Sequence, residues 1–374
     1  MFLAIRDIRF AKGRFVLMGG VVALITLLLV MLSGLTAGLA DQSTSALSKL
    51  GVSSESAQSS QPVDSIVFGA PAGAEAKASF TESEVSASQL QSWQNTPGVA
   101  SAEPLGISQG KLQAVSTGSG AGTSNAAFFG VQPEGGLASV SFGADSVLIG
   151  QSMAKDLALA VGDKVLIAGV ELSVAAVVAD QWYSHTSVVW LALPVWSKIS
   201  HLDAGRVGTV LAVSYRQGVN VDEAAVNSQA HTVSTSRAGA FQALSSYRSE
   251  NGSLLLMQAF LYGISALVIV AFLTVWTVQR TRDIAVLKAI GASPAYLLRD
   301  AIAQAAVVLL AGAGIGAGVG VLGGYFAAQA APFLLTATTT LLPMLGIILL
   351  GLLGAWFAVR RVTRVDPLLA LGGN

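Results

Sequence analysis

Residues 301–359 are 59 consecutive positions without a charged side chain, bounded by Arg299 and Asp300 before and by Arg360 and Arg361 after. A helix needs about 20 apolar residues to cross a bilayer, so this run holds two crossings joined by a short hairpin. Two further uncharged runs, residues 15–40 and 251–279, are each long enough for one crossing with some tilt. The pattern predicts four transmembrane helices, one before and three after a polar stretch at about residues 41–250.

Inside that stretch the periodicity changes. The first apolar run continues through Asp41 to Leu50 without a turn signal, so its helix is expected to leave the membrane as a stalk that stops at Gly51. After a Ser-rich linker at 52–62, the β-branched and aromatic residues of 64–69 read as a strand. Thr81-Glu82-Ser83-Glu84 has the form of a capping box before a helix that Pro97-Gly98 would close. Strands are expected at 146–149, 164–167, 171–179, 187–193 and 208–214, with helices at 151–160 and 222–229 and a turn at Gly162-Asp163. The fold class is a membrane protein of four transmembrane α-helices with a large extracellular α+β domain inserted between helices 1 and 2.

The expected division is a cytoplasmic segment 1–14, helix 1 at 15–40 with its stalk to about 50, the outer domain 51–245, and helix 2 at 251–279. A cytoplasmic loop 280–300, helix 3 at 301–328, helix 4 at 338–359 and a tail 360–374 complete it. Basic residues near helix ends stay on the cytoplasmic side, and they set the orientation. Arg6, Arg9, Lys12 and Arg14, then Arg280, Arg282, Lys288 and Arg299, then Arg360, Arg361 and Arg364 all fall on one side of four crossings. Both termini and the loop are therefore expected in the cytoplasm of a multi-pass cell-membrane protein. Ala37-Gly38-Leu39-Ala40 resembles a signal-peptidase site, but the preceding apolar run exceeds the usual length of about 7 to 15 residues, so the helix is expected to be retained.

Composition narrows the chemistry. The 21 basic and 21 acidic residues cancel, and no basic stripe with interleaved aromatics marks a nucleic-acid partner. There is no cysteine, which excludes disulfides, thiolate metal sites and cysteine nucleophiles. The Gly-rich segment 116–123 lacks the Gly-Lys pair of a phosphate loop, so the chain is not expected to bind ATP itself or to act as an enzyme. His185, His201 and His231 show no metal-ligand spacing, and no nucleophile elbow accompanies them; a structural role is expected for each. Gly312, Gly316, Gly320 and Gly324 recur every four residues in the third crossing, the spacing that lets helix backbones approach closely in lipid. Gly318 to Gly323 also matches a dinucleotide fingerprint by letter, but with no preceding strand it carries no such meaning.

The loop is more specific. Arg280-Thr281-Arg282-Asp283-Ile284-Ala285-Val286-Leu287-Lys288-Ala289-Ile290-Gly291-Ala292-Ser293 reads as a short amphipathic helix stopped at Gly291. It resembles the loop element of the ABC permeases related to the macrolide exporter and to the FtsX cell-division protein. Ala4-Ile5-Arg6-Asp7-Ile8-Arg9, Thr96-Pro97-Gly98-Val99, Val161-Gly162-Asp163-Lys164-Val165 and Asp366-Pro367-Leu368-Leu369-Ala370-Leu371 extend the resemblance over the whole chain. The resemblance implies a homodimer whose loop is gripped by two separate ATPase subunits, with Arg280, Arg282, Asp283, Leu287, Lys288 and Gly291 in the coupling role and ATP bound by those partners.

Within the family the chain is most similar to the permease subunit of haem-efflux pumps of Gram-positive bacteria. That likeness implies haem as transported ligand, no intrinsic cofactor, and an opening toward lipid, since haem is amphiphilic. At the outer ends of helices 1 and 2, Tyr247, Glu250, Leu254 and Met257 share one helical face, with Arg248 beside them and Met31 on helix 1. Glu250 is the expected iron ligand, because a carboxylate at the edge of hydrocarbon is costly and ferric iron accepts anionic oxygen; Arg248 would pair with a propionate. Glu250 also reads as a solvated helix-end charge, and Met31 as packing bulk. Two other functions fit the same pattern: a mechanotransmitter acting on a cell-wall hydrolase or sensor, and an exporter of a peptide, lipoprotein or antibiotic.

Overall fold

The computed structural model describes residues 12–51, 62–71, 73–115, 122–279, 286 and 290–362. The chain forms two compact units, one from Met1–Leu39 with Asn251–Asn374 and one from Ala40–Glu250. Helix α1 runs unbroken over Lys12–Ser48. No proline interrupts it, and hydrocarbon leaves the backbone no partner but itself. Thr26 and Thr36 return their hydroxyls to the carbonyls of Val22 and Leu32 at 2.8 and 2.7 Å, so neither brings an unsatisfied polar group into the membrane unit.

The second unit follows in chain order as β1 (Ser65–Phe68), β2 (Val85–Ser86), α2 (Ala87–Gln94), β3 (Val99–Val115), β4 (Thr123–Val131), β5 (Ser146–Gly150) and α3 (Gln151–Asp156). It continues with β6 (Lys164–Ile167), β7 (Val170–Val178), β8 (Trp182–Tyr183), β9 (Thr186–Ala192), α4 (Leu193–Ile199), β10 (Arg206–Gly208), β11 (Val210–Tyr215), α5 (Glu223–Ala230) and β12 (Val233–Ser236). The strands at 64–69, 146–149, 164–167, 171–179, 187–193 and 208–214 fall where their β-branched content placed them.

The 17-residue β3 organises the unit. Its first half pairs antiparallel with β11, extending a sheet ordered β12-β1-β11-β3, and its second half pairs with both β4 and β6. The path β3-β4-β9-β5-β7-β6 then returns to β3, closing a small barrel without a free edge. Gly106 and Gly130, where the strand passes from sheet to barrel, lie under the indole of Trp196 from α4; a Cβ at either position would meet that ring.

Two expectations need correction. The capping box belongs to Ser86 and Gln89, whose side chains exchange hydrogen bonds with each other's backbone N–H at the start of α2, and not to Thr81 and Glu84. Ser83 is instead buried, receiving the Gly69 N–H at 3.0 Å and donating to the Thr209 carbonyl at 2.6 Å, which fixes the loop before α2. The end of α1 is also not a free stalk: Ala46, Leu47 and Leu50 are fully buried in a core with Ile66, Phe68, Leu105, Phe129 and Trp190. That burial removes roughly 0.8 kcal/mol per methylene from water, enough to seat the helix end in the outer domain.

The membrane unit adds α6 (Ser245–Gln279, continuing from the outer unit), α7 (Pro294–Ala327, capped by Ser293 on the Tyr296 N–H) and α8 (Ala337–Val362). Among the described residues, four helices are thus long and apolar enough to cross a membrane. Their shared core holds Met18, Val22 and Leu29 of α1, Ile269 and Leu273 of α6, Leu309 and Ala313 of α7, and Ile347 and Ala355 of α8. The glycine stripe of α7 is used inside the chain: Gly312 and Gly316 lie on the Gly19 and Ala23 backbone of α1, and Gly320 on Val30.

Candidate functional site

β8 and β9 are joined by Ser184 and His185 alone, since Trp182 pairs with Ser187 and Tyr183 with Thr186. Both loop residues have positive φ, 46° and 62°, as a two-residue turn with the twist of its flanking strands requires. Asn-Gly is the usual occupant; two residues carrying a Cβ cost about 1–2 kcal/mol each in this region. The turn is held by the end of α1, with Trp182 N–H on Ser45 Oγ (2.9 Å), Ser184 N–H on the Ser43 carbonyl (3.1 Å) and His185 N–H on the Gln42 carbonyl (3.0 Å). On the other side Ser184 Oγ meets Ser246 Oγ of α6 at 3.2 Å. Tyr183 anchors the hairpin by edge-on contacts with Phe80 and Phe129, and burial pushes its phenol well above the usual tyrosine range.

This clasp brings His185 onto Glu250. The imidazole Nε2 lies 2.8 Å from Oε2 and 3.1 Å from Oε1 of the carboxylate, and 3.1 Å from Oγ of the buried Ser43. A carboxylate only accepts, so Nε2 carries a proton and donates it. Both side chains keep an open side, 32% exposed for His185 and 42% for Glu250. Glu250 thus has a hydrogen-bond partner in His185, 65 residues earlier in the chain.

The other expected site residues divide between the units. Tyr247 packs on the outer core and stacks edge-on against Phe241 at 6.1 Å between centroids, which makes it first a structural residue. Arg248 is exposed. Within the membrane unit, Met257 is 56% exposed on α6, whereas the Met31 sulfur lies 3.5 Å from where a Cβ on Gly323 would sit, in the groove that glycine opens. Next to Met257, the Gln258 amide donates to Thr36 Oγ1 at 3.0 Å and ties α6 to α1. The loop between α7 and α8 docks on α1 through the Leu334 N–H and the Gly34 carbonyl (3.0 Å), with the Phe333 ring over Gly34.

Of the coupling residues, Arg280, Arg282, Asp283, Leu287 and Lys288 lie outside the described residues. Gly291 has φ 99°, a conformation suited to glycine, just after Ile290 donates to the Val286 carbonyl at 3.1 Å.

Among the described residues no cluster of three or more His, Cys, Asp or Glu could hold a metal ion. A second polar feature lies in the outer unit, where Glu103 faces a cleft of about 510 Å³ with Gln94, Ser101, Gln132 and Glu134. Burial raises its carboxyl above the usual range, against the opposing effect of the Gly136 N–H, and Oε2 has no hydrogen-bond partner among the described residues. In the membrane unit, a wholly different cavity of about 450 Å³ between α1 and α7 is apolar, lined by residues such as Phe15, Gly19, Ala23, Val308 and Ile315.

Comparison with known proteins matches two successive regions of the chain. Residues 16–230 match the model of the MacB-like periplasmic core domain, and residues 255–367 that of the FtsX-like permease C-terminal region. The chain is similar to the putative hemin transport system permease protein HrtB of Staphylococcus epidermidis, at 25% identity over 57% of this chain and 59% of the relative. The protein of the same name in Staphylococcus haemolyticus is 28% identical over 58% of this chain and 60% of the relative, so each match spans less than two thirds of the relative's own length. The periplasmic region of MacB from Actinobacillus actinomycetemcomitans aligns with a TM-score of 0.34 and 14% identity, covering 52% of this chain and 92% of that structure. With the first match alone spanning more than half its length, the chain belongs to the MacB/FtsX family of multi-pass membrane permeases.

Proposed function

We propose that the chain is the permease subunit of an ATP-driven ABC efflux pump that takes haem from the outer leaflet of the bacterial cell membrane and expels it. The β-rich unit lies outside the cell, both termini inside, and the permease works as a homodimer with two ATPase subunits gripping residues 280–293. Since a ligand shifts a conformational equilibrium only by its differential affinity, ATP binds the partner pair more tightly in the closed state, and the loop transmits that closure. The chemistry of this chain is mechanical.

The observation that carries the reading is Glu250, an anionic oxygen donor held by His185 at the start of the apolar span Ser245–Trp276, in a chain similar to hemin transport permeases. A free metal ion needs several protein donors, and a porphyrin supplies the equatorial nitrogens itself, so an iron inside haem asks only for an axial ligand. Arg248 would meet a propionate.

The decisive experiment reconstitutes the permease with its ATPase partner in lipid nanodiscs and titrates haemin. Haemin is expected to produce a shifted Soret band and to stimulate ATP hydrolysis, both weakened in Glu250→Ala. A complex that neither binds haemin nor responds to it sinks the proposal. A mechanotransmitting reading is favoured by one observation, the burial of Ala46, Leu47 and Leu50 at the end of a transmembrane helix within the outer core. It predicts ATP-dependent change in the outer domain that is indifferent to haemin.

A further inference from the structure

Resting on the haem reading above, we propose that His185 is a positioning residue for the substrate's iron: its Nε2 hydrogen-bonds the Glu250 carboxylate, closer to Oε2 (2.8 Å) than to Oε1 (3.1 Å), and so orients the more weakly held oxygen as axial ligand. A carboxylate that ligates metal is ordinarily hydrogen-bonded on its remaining lone pairs, which fixes its orientation and tunes its donor strength. Glu250 has such a partner, with Nε2 at 2.8 Å from Oε2. The partner is itself fixed. Its Nε2 also meets Ser43 Oγ, and its backbone N–H is bound to the Gln42 carbonyl.

The backbone supplies an independent argument. His185 occupies a turn position at φ 62°, where glycine would be unstrained. Ala158, Ala168, Ser184, His201 and His231 share this conformation, so the strain carries meaning at His185 only together with the contacts that over-determine it. Among the described residues, the side chains that the imidazole meets through its ring nitrogens are Ser43 and Glu250, and of these Glu250 reaches toward solvent. His185 therefore acts through Glu250.

The test uses the full-length chain in lipid nanodiscs, titrated with haemin and followed by the Soret and charge-transfer bands. His185→Gly removes the donor and relieves the turn, so the variant is expected to fold as well as the native chain and to bind haemin about tenfold or more weakly, with shifted bands. His185→Gln keeps an N–H donor and is expected to recover the native spectrum and most of the affinity. Combining His185→Gly with Glu250→Ala should weaken binding no further than Glu250→Ala alone. Native affinity and spectrum in His185→Gly, or equal and independent losses in the double variant, overturn the assignment while haem binding stands. A native chain that binds no haemin overturns the haem reading itself, and this assignment with it.

Discussion

The side-chain amide of Gln258 on α6 donates to the hydroxyl of Thr36 on α1 at 3.0 Å, a polar link between two membrane helices. The Thr36 hydroxyl in turn donates its own proton to the Leu32 carbonyl at 2.7 Å, so it serves as both acceptor and donor. Interhelical hydrogen bonds in lipid average about 0.6 kcal/mol and reach about 1.7. Gln258→Leu is expected to lower the thermal stability of the purified chain by an amount in this range. An unchanged melting temperature would show that the link adds nothing.

The α7 glycines give a sharper contrast. A Cβ at Gly316 would strike the Ala23 backbone, whereas nothing lies within 4 Å of one at Gly314 or Gly318. Gly316→Val is therefore expected to separate α1 from α7 and to destabilise by about 1–3 kcal/mol or more, as overpacking does. Gly314→Ala and Gly318→Ala should melt within about 0.5 kcal/mol of the native chain. Equal losses at all three positions would mean that close approach to α1 does not set the cost at Gly316.

Glu103 predicts a pH dependence with a definite sign. Its folded carboxyl titrates above the usual range because burial disfavours the charge. Its contribution is fully present below the ordinary carboxylate value and is lost as pH rises through the raised folded value. Glu103→Gln should flatten the melting temperature across the mildly acidic range and raise it at neutral pH. A variant whose curve tracks the native one across that range would contradict the burial effect.

Coupling and cargo binding are separable in the proposed pump. Leu287→Asp places a charge in the segment expected to meet the ATPase, far in sequence from Glu250. Haemin affinity should stay native while haemin-stimulated ATP hydrolysis falls severalfold. Loss of haemin binding in that variant would argue against separate sites.

The four spans were legible because hydrocarbon imposes a length of uncharged sequence that no soluble element needs. Strands such as 146–150 and 186–192 were legible from their β-branched runs. β3 was not, because Gly106, Gly110, Ser108 and Gln109 interrupt its alternation, and its buried face changes as it leaves one sheet for the barrel. The true capping box at Ser86 and Gln89 has the same signature as Thr81 and Glu84, and only tertiary contacts of Ser83 decide between them. Glu250 stood out as a carboxylate beside an apolar run. His185 did not, since 65 residues separate the pair and its turn lacks the Asn-Gly that marks such hairpins. The one cue was the two-residue gap between apolar strands at 182–183 and 186–192.

β3 also has a consequence for how the outer unit forms. One strand pairs with β11 more than 100 residues downstream through Leu105 and Val210, and with β6 through Leu112 and Ile167. Neither the sheet nor the barrel can be completed until distant parts of the chain have arrived, so the unit has high contact order and should fold slowly, as one cooperative event. A chain that reaches the far side of the membrane in pieces would hold the first half of β3, from Val99 to Leu105, unpaired until the segment after residue 210 follows. During that interval its exposed strand edge is the point most open to aggregation or to a chaperone.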